Sequence, residues 1–260
     1  SGTLTALQEQ GYEIDLVDIK RDGTIDLDHL KELLRPDTIV VAVTMVDSEL
    51  GVVQPVQEIA EILKEYPHCH LHVDATQAVG KIPVSFEGVD TMSLTAHKFY
   101  GLNGIGLLLK RRNLALEPLI HGGESTTIYR SGTPTVALAS SLALALELAV
   151  EQLPEHAEAV QKANTFLRTE LAKYPKVHIN SPENAIPHIL NLSVQDVKGT
   201  VFQRELNEEG VCVSVFAVSR DRRNALSSWR VSLSHRTTEE DLRGFLAAFD
   251  RCYRGLTETK

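Results

Sequence analysis

Short apolar segments alternate with helical patterns along the first half of the chain. Residues 39–45 are rich in β-branched side chains and are typical of a buried strand. Residues 55–66 begin with a proline and carry apolar side chains at helical spacing. Further strand-like runs follow at residues 70–74, 91–95 and 104–109. Strands and helices in alternation predict an α/β fold, with a mostly parallel central sheet covered by helices.

The second half has longer helices and short, well-separated strands. Helices are predicted at about residues 134–153, 155–173 and 239–253, and strands at residues 177–180, 188–194, 211–215 and 229–233. Thr237 and Thr238 supply an N-cap for the last helix. This pattern predicts a smaller C-terminal α+β domain, and we place the large domain at residues 1–152 and the small domain at residues 153–260.

The composition is that of an ordinary globular chain, with 43% hydrophobic and 23% charged residues. A formal net charge of -9 argues against a general nucleic-acid partner, because an acidic surface repels phosphates. We expect no membrane span, since no run of about 18 apolar residues occurs. The three cysteines match no metal-ligand spacing. A low, odd cysteine count without an evident signal peptide predicts a cytoplasmic protein.

Asp74 ends one of the strand-like runs and precedes a turn of small residues. Ligands of open α/β sheets bind at the carboxyl ends of strands, so this carboxylate could pair with a protonated ring nitrogen. Pyridoxal 5'-phosphate (PLP) needs such a partner, because its cationic ring withdraws electrons from the reacting carbon. Taken alone, Asp74 is equally well explained as a cap on the following turn.

Thr95, His97 and Lys98 follow the next strand-like run. A lysine amine can condense with an aldehyde, and the neighbouring hydroxyl and imidazole can reach a phosphate or a substrate. A surface lysine beside a loop histidine is the alternative for this motif by itself. Two strand ends, 24 positions apart, both present suitable groups. A PLP site with Lys98 as its lysine is therefore the better hypothesis.

Two arginine-containing motifs could bind anions. Residues 130–133, Arg-Ser-Gly-Thr, combine a guanidinium with hydroxyls, although a simple interdomain turn explains them as well. Arg230 lies in an alternating strand pattern, where its guanidinium could hold a carboxylate in bidentate fashion. A structural salt bridge is the competing and more common explanation for an arginine in a strand.

The sequences of these segments and their order along the chain resemble those of the cysteine desulfurase branch of the class V aminotransferases, which are PLP enzymes of fold type I. The matching stretches are residues 51–56, 72–81, 96–101, 130–133, 230–233 and 237–240. They span nearly the whole chain in the family's order. The resemblance therefore implies a PLP-dependent transferase fold of type I with a small C-terminal domain.

The resemblance also implies roles for the residues at the cofactor. Lys98 would bind PLP covalently through its amine, and Asp74 would pair with the pyridine nitrogen. Gln77 would hydrogen-bond the ring phenolate oxygen, while Thr95 and His97 would bind the phosphate. Lys98 and His97 are the implied catalytic residues, and the sequence indicates no metal site.

The resemblance further implies the reaction and the partners. Arg230 would receive the α-carboxylate of an amino-acid substrate, and Thr133 would reach the phosphate of the neighbouring subunit in a homodimer. The implied activity is conversion of cysteine to alanine with sulfur transfer, or a related lyase or transferase reaction. A sulfur-acceptor protein is a further expected partner.

Two departures from the family bear on this activity. The family is longer at the N-terminus, where a phosphate turn and a ring-stacking histidine precede the point that matches Ser1. Ser219 stands where the family has its sulfur-accepting cysteine, and serine cannot carry a persulfide. Nearby Cys212 is interpreted as a buried structural cysteine. The alternatives are a variant lyase, or a catalytically impaired or fragmentary PLP-fold subunit that acts as a dimerisation or interaction module.

A third departure lies at residues 47–49, where Asp-Ser-Glu replaces the family's Asn-Asn-Glu. An amide that would help to hold the substrate carboxylate or the ring oxygen is lost there. Asp47 beside a substrate carboxylate would repel it.

Overall fold

The computed structural model describes residues 2–123, 127–215 and 226–258, and its first half builds a mixed sheet. The strands, hydrogen-bonded in chain order, are β1 (Val40–Thr44), β2 (His70–Asp74), β3 (Thr91–Thr95) and β4 (Gly106–Lys110). Strands β1, β2 and β3 are parallel, and β4 returns antiparallel to β3. The predicted mostly parallel sheet is present.

The register of the parallel strands brings their carboxyl ends to one edge of the sheet. Thr44 of β1 lies opposite Asp74 of β2, and Asp74 lies opposite Ser93 of β3. Strand β2 alternates buried Leu71 and Val73 with more exposed side chains. This alternation fixes which residues face the core, because a slip by one residue would reverse the faces.

Four helices and one 3₁₀ helix accompany this sheet in the described part of the chain. They are α1 (Gly2–Glu9), α2 (Leu27–Leu33), α3 (Val56–Leu63) and α4 (Val136–Glu151), with a 3₁₀ helix at Ala96–Phe99. Helix α3 follows Pro55, as predicted, and buries Val56, Ile59 and Leu63 at helical spacing. The 3₁₀ helix packs against α4.

The second half of the chain builds an antiparallel sheet. Its strands are β5 (Val177–Ile179), β6 (Ile189–Val194), β7 (Ser214–Val215) and β8 (Ser228–Ser232). Their spatial order is β5-β6-β8-β7. All three pairings are antiparallel. Every residue of β6 is buried, which fits its position as one of the two interior strands of this sheet.

Three helices accompany the second sheet in the described part of the chain, namely α5 (Leu153–Leu171), α6 (Gly199–Glu208) and α7 (Glu239–Thr257). Thr238 caps α7, and Asp241 completes the capping box by accepting from the Thr238 amide. The N-cap prediction is thus confirmed. Helix α6 was missed in the sequence. It packs Phe202 on Trp229, with ring centroids 5.1 Å apart.

Buried apolar side chains form two clusters, one in each half of the chain. Ile186 and Ile189, from the second half, belong to the first cluster. The boundary between residues 1–152 and 153–260 therefore stays a prediction. In the described part of the chain, no single helix has both the length and the apolar composition to cross a bilayer. Helices α4 and α5, bent by 68° at their junction, would have both only if taken together.

Candidate active site

Asp74 lies at the carboxyl end of β2, half-buried beneath the turn that follows. Its Oδ1 accepts a hydrogen bond from the Thr76 amide at 2.9 Å. The turn-capping interpretation of Asp74 is therefore correct for one oxygen. Oδ2 makes no hydrogen bond to the described residues, and a carboxylate can accept at both oxygens. One oxygen remains for a ligand at this edge.

Lys98 and its neighbours lie at the carboxyl end of the adjacent strand, β3. Thr95 ends the strand, and its hydroxyl lies 3.0 Å from His97 Nδ1. Buried Ala96 and Phe99 anchor the 3₁₀ helix, which leaves His97 and Lys98 exposed. The structure thus places Asp74 and Lys98 at the same edge of two hydrogen-bonded strands.

Gln77 and Lys81 lie in the turns after β2. The Lys81 ammonium donates to the Gln77 carbonyl oxygen and to the Gln77 side-chain Oε1, both at 3.2 Å. Burial, and then the positive charge of Lys98, lower the pKa of Lys81 to about 8. Sequence reasoning missed Lys81. Its signal was a lysine between the apolar residues Val79 and Ile82.

Arg230 lies on β8 and already contacts a carboxylate of the protein. Its Nη1 donates to the Ser48 carbonyl at 2.6 Å and to Glu49 Oε1 at 3.1 Å, and its Nη2 donates to Ser214 Oγ at 3.2 Å. The Arg230 and Glu49 side chains are each only 16% exposed. The salt-bridge interpretation of Arg230 thus describes the structure, and a substrate carboxylate would have to share or displace Glu49.

Asp47 does not provide the negative charge next to Arg230. Its Oδ1 accepts from the amides of Glu49 at 3.0 Å and Leu50 at 2.6 Å, which caps its own turn. The replacement of the family's asparagine by Asp47 therefore supports the local backbone. Among the described residues, the carboxylate that pairs with the guanidinium of Arg230 is that of Glu49.

Thr133 lies in an exposed segment before α4. The adjacent Ser131 hydroxyl donates to the His121 carbonyl at 2.9 Å, and Gly132 has a φ of +96°. No described contact joins this segment to Asp74 or Lys98. The role expected of Thr133 concerns a second subunit and stays a prediction.

Ser219 lies outside the described residues, so its expected position is not tested. Cys212 precedes β7 and is exposed, so its interpretation as a buried structural cysteine is wrong. Cys69 and Cys252 are the buried cysteines. Burial raises the pKa of both of their thiols.

Three histidines, His156, His188 and His235, form a cluster near Lys81 that the sequence did not reveal. The rings of His156 and His235 stack with centroids 3.6 Å apart, and Tyr100 meets His235 edge-on. Burial, followed by the charges of Lys81, His235 and His156, lowers the pKa of His188 to about 4. Through the contact between His235 and Tyr100, this cluster links the second half of the chain to the segment after Lys98.

Comparisons with known proteins agree with this geometry. The Aminotransferase class-V family profile matches residues 3–245. A cysteine desulfurase IscS of Dictyoglomus turgidum is 35% identical over 94% of this chain and 67% of its own length. A NifS/IcsS protein homolog of Lactobacillus delbrueckii subsp. bulgaricus is 32% identical over 98% of this chain and 71% of its own length.

A solved structure of a NifS-like protein superposes with a TM-score of 0.92. It is 34% identical and covers 98% of this chain and 72% of its own chain. The chain thus spans roughly two thirds to three quarters of the length of these relatives.

Proposed function

Because the chain belongs to the aminotransferase class-V family, we propose that it binds PLP at Lys98 and acts on cysteine or a related amino acid. The observation that carries this proposal is the placement of Asp74 and Lys98 at one edge of two paired parallel strands. One strand offers a carboxylate for the ring nitrogen, and the next offers an amine for the aldehyde.

The family relationship confirms several predictions directly. Relatives named cysteine desulfurases confirm the predicted PLP-dependent, cysteine desulfurase-like class of enzyme. The superposition with a NifS-like structure confirms the predicted α/β fold of type I. The alternative of a non-catalytic dimerisation or interaction module gains no support from these relatives.

The residues at the sheet edge fit the cofactor. Asp74 Oδ2 is available for a protonated ring nitrogen, and exposed Lys98 is available for the aldehyde. The Thr95 hydroxyl and the His97 imidazole, already 3.0 Å apart, can both donate to a phosphate. Gln77 would donate to the ring oxygen. When bound, PLP supplies an electron-withdrawing ring that stabilises negative charge on the substrate's α-carbon.

The protein's own groups then orient the substrate and move its protons. Arg230 binds the α-carboxylate in place of Glu49, because a guanidinium can hold two carboxylate oxygens at once. The amine of Lys98 would take up and return the proton at the α-carbon of the substrate. In a desulfurase the sulfur of cysteine would pass to a protein thiol as a persulfide, leaving alanine. In a lyase it would leave as sulfide, and the rest of cysteine would be released as pyruvate and ammonia.

The assembly and location of the protein are part of the proposal. A homodimer in which Thr133 reaches the partner's phosphate site follows from the family resemblance, and so does a sulfur-acceptor protein. The acidic net charge of -9 and the cysteine content are the basis for proposing a cytoplasmic protein that binds neither nucleic acid nor membranes.

Cofactor binding is tested by incubating the purified protein with PLP and reducing it with borohydride. We expect a visible absorption band and, after peptide mapping, a covalent adduct on Lys98. Lys98→Ala should lose both, while Lys64→Ala, an exposed lysine paired with Glu61, should keep both. An adduct on another lysine, or an undiminished band in Lys98→Ala, would refute the assignment.

The reaction is tested by supplying L-cysteine and quantifying alanine and sulfide. Alanine formation with a persulfide on the protein supports a desulfurase, and sulfide release without a persulfide supports the lyase. A PLP-loaded protein that produces neither would favour the non-catalytic alternative.

A further inference from the structure

Lys81 is a partly buried cation that the proposed reaction does not use. It makes no ion pair with a carboxylate in the described ranges of the chain. The Lys81 ammonium donates two hydrogen bonds to Gln77, one to its main-chain oxygen and one to its side-chain Oε1. Burying an ammonium without an opposite charge costs stability, so a chain that keeps one has a reason outside folding.

The contact fixes which way the Gln77 amide points. An ammonium has three donors and no acceptor, so the atom of Gln77 that faces Lys81 must be the amide oxygen. The opposite end of the amide, Nε2, is then directed away from Lys81. In the described structure Nε2 makes no hydrogen bond, so both of its N–H groups are available to an acceptor.

The surroundings of Lys81 favour this arrangement. Lys98, in the 3₁₀ helix, and His188, just before β6, are the titratable groups that interact with it. Neither is an anion that could draw the ammonium away from Gln77. Lys81 therefore contacts the amide that is expected to bind the cofactor's ring, and it lies close enough to the lysine expected to bind the cofactor for the two charges to interact.

We propose that Lys81 is a positioning residue that holds the Gln77 amide with its NH₂ group toward the ring oxygen of PLP. This inference rests on the proposed function. Without Lys81 the Gln77 amide can rotate and present its oxygen to the ring oxygen. Both atoms are then hydrogen-bond acceptors, so no hydrogen bond forms between them. Lys81 thus contributes to cofactor binding through Gln77 and does not touch the cofactor.

The dependence on Gln77 is tested with a double-mutant cycle on the PLP dissociation constant. Lys81→Met and Gln77→Leu should each weaken binding about fivefold, the value of one hydrogen bond. The double variant should bind no more weakly than Gln77→Leu alone. Lys64→Met, at an exposed site, serves as the control. The proposal would be overturned if the two effects multiplied, so that the double variant bound PLP about 25-fold more weakly than the wild type. It would also be overturned if Lys81→Met left the dissociation constant unchanged.

A second measurement uses the protein without cofactor. The pH dependence of Lys81 acetylation, followed by peptide mass spectrometry, reports its ionisation. Removing the Gln77 acceptor in Gln77→Leu should lower the midpoint, with a change of about fivefold in the ionisation constant. An unchanged midpoint would show that the contact is absent and would overturn the inference. A shifted midpoint in a protein that never binds PLP would refute the proposed function and leave the contact established.

Discussion

Acid should destabilise the folded protein through His188. The side chain is 6% exposed, and Nδ1 has no hydrogen-bond partner in the described structure. Burial, together with Lys81, His235 and His156, lowers the pKa of His188 from 6.5 to about 4. Protonating this ring would place a second cation beside Lys81 in a site that excludes water.

The direction and the size of this change in the free energy of unfolding follow from proton linkage. The folded-state pKa lies below the unfolded value, so the unfolded chain binds the proton more tightly. The contribution of neutral His188 is fully present above pH 6.5 and is lost as the pH falls toward 4. A difference of about 2.5 pH units corresponds to about 3 kcal/mol of unfolding free energy.

The assay is denaturant unfolding at several pH values between 7.5 and 4, for the wild type and for His188→Gln. Because glutamine does not titrate, the free-energy difference between the two proteins should change by about 3 kcal/mol across this range. His178→Gln, at an exposed histidine of β5, serves as the matched control. Parallel curves for wild type and His188→Gln would refute the reasoning.

Three further predictions concern single side chains. Lys81→Met should raise the free energy of unfolding at pH 7 by about 3 kcal/mol, because the folded-state pKa of about 8 lies below the ordinary 10.5, and the gain should vanish toward pH 10.5 in unfolding titrations. Iodoacetamide should alkylate exposed Cys212 much faster than buried Cys252, and equal labelling by peptide mapping would contradict the burial of Cys252. Glu49→Gln should destabilise the protein by about 3 kcal/mol, because it removes the carboxylate from a largely buried ion pair with Arg230. In its PLP-loaded form the same variant should bind L-alanine more tightly. An unchanged free energy of unfolding together with an unchanged dissociation constant for L-alanine would show that the ion pair is unimportant.

Sequence patterns were sufficient for the features that depend on local spacing. The β-branched run at residues 39–45 became β1, and Pro55 and Thr238 lie where the sequence predicted helix starts. Helix α6 was missed because it buries only Gly199, Phe202 and Leu206, too few positions for a clear apolar stripe. Tertiary packing supplies the remaining stability of this helix.

In the candidate site, too, local sequence patterns indicated some of the residues, while contacts between distant residues could not be predicted. Asp74 and Lys98 could be found because each follows a strand, and strand ends are recognisable in sequence. The partner of Arg230 could not be found, because Glu49 is 181 positions away and the pairing exists only in the folded chain. Burial of Lys81 and His188 likewise depends on contacts between the two halves of the chain.

The pairing of β2 with β3 has a consequence for how such enzymes diversify. Backbone hydrogen bonds within one sheet hold Asp74 beside the strand that leads into the 3₁₀ helix of Lys98. Ser219, which the resemblance aligns with the family's sulfur-accepting cysteine, belongs to the second half of the sequence. Descendants of one ancestor can therefore exchange that receiving residue, and with it the product, while the anchorage of the cofactor is inherited intact.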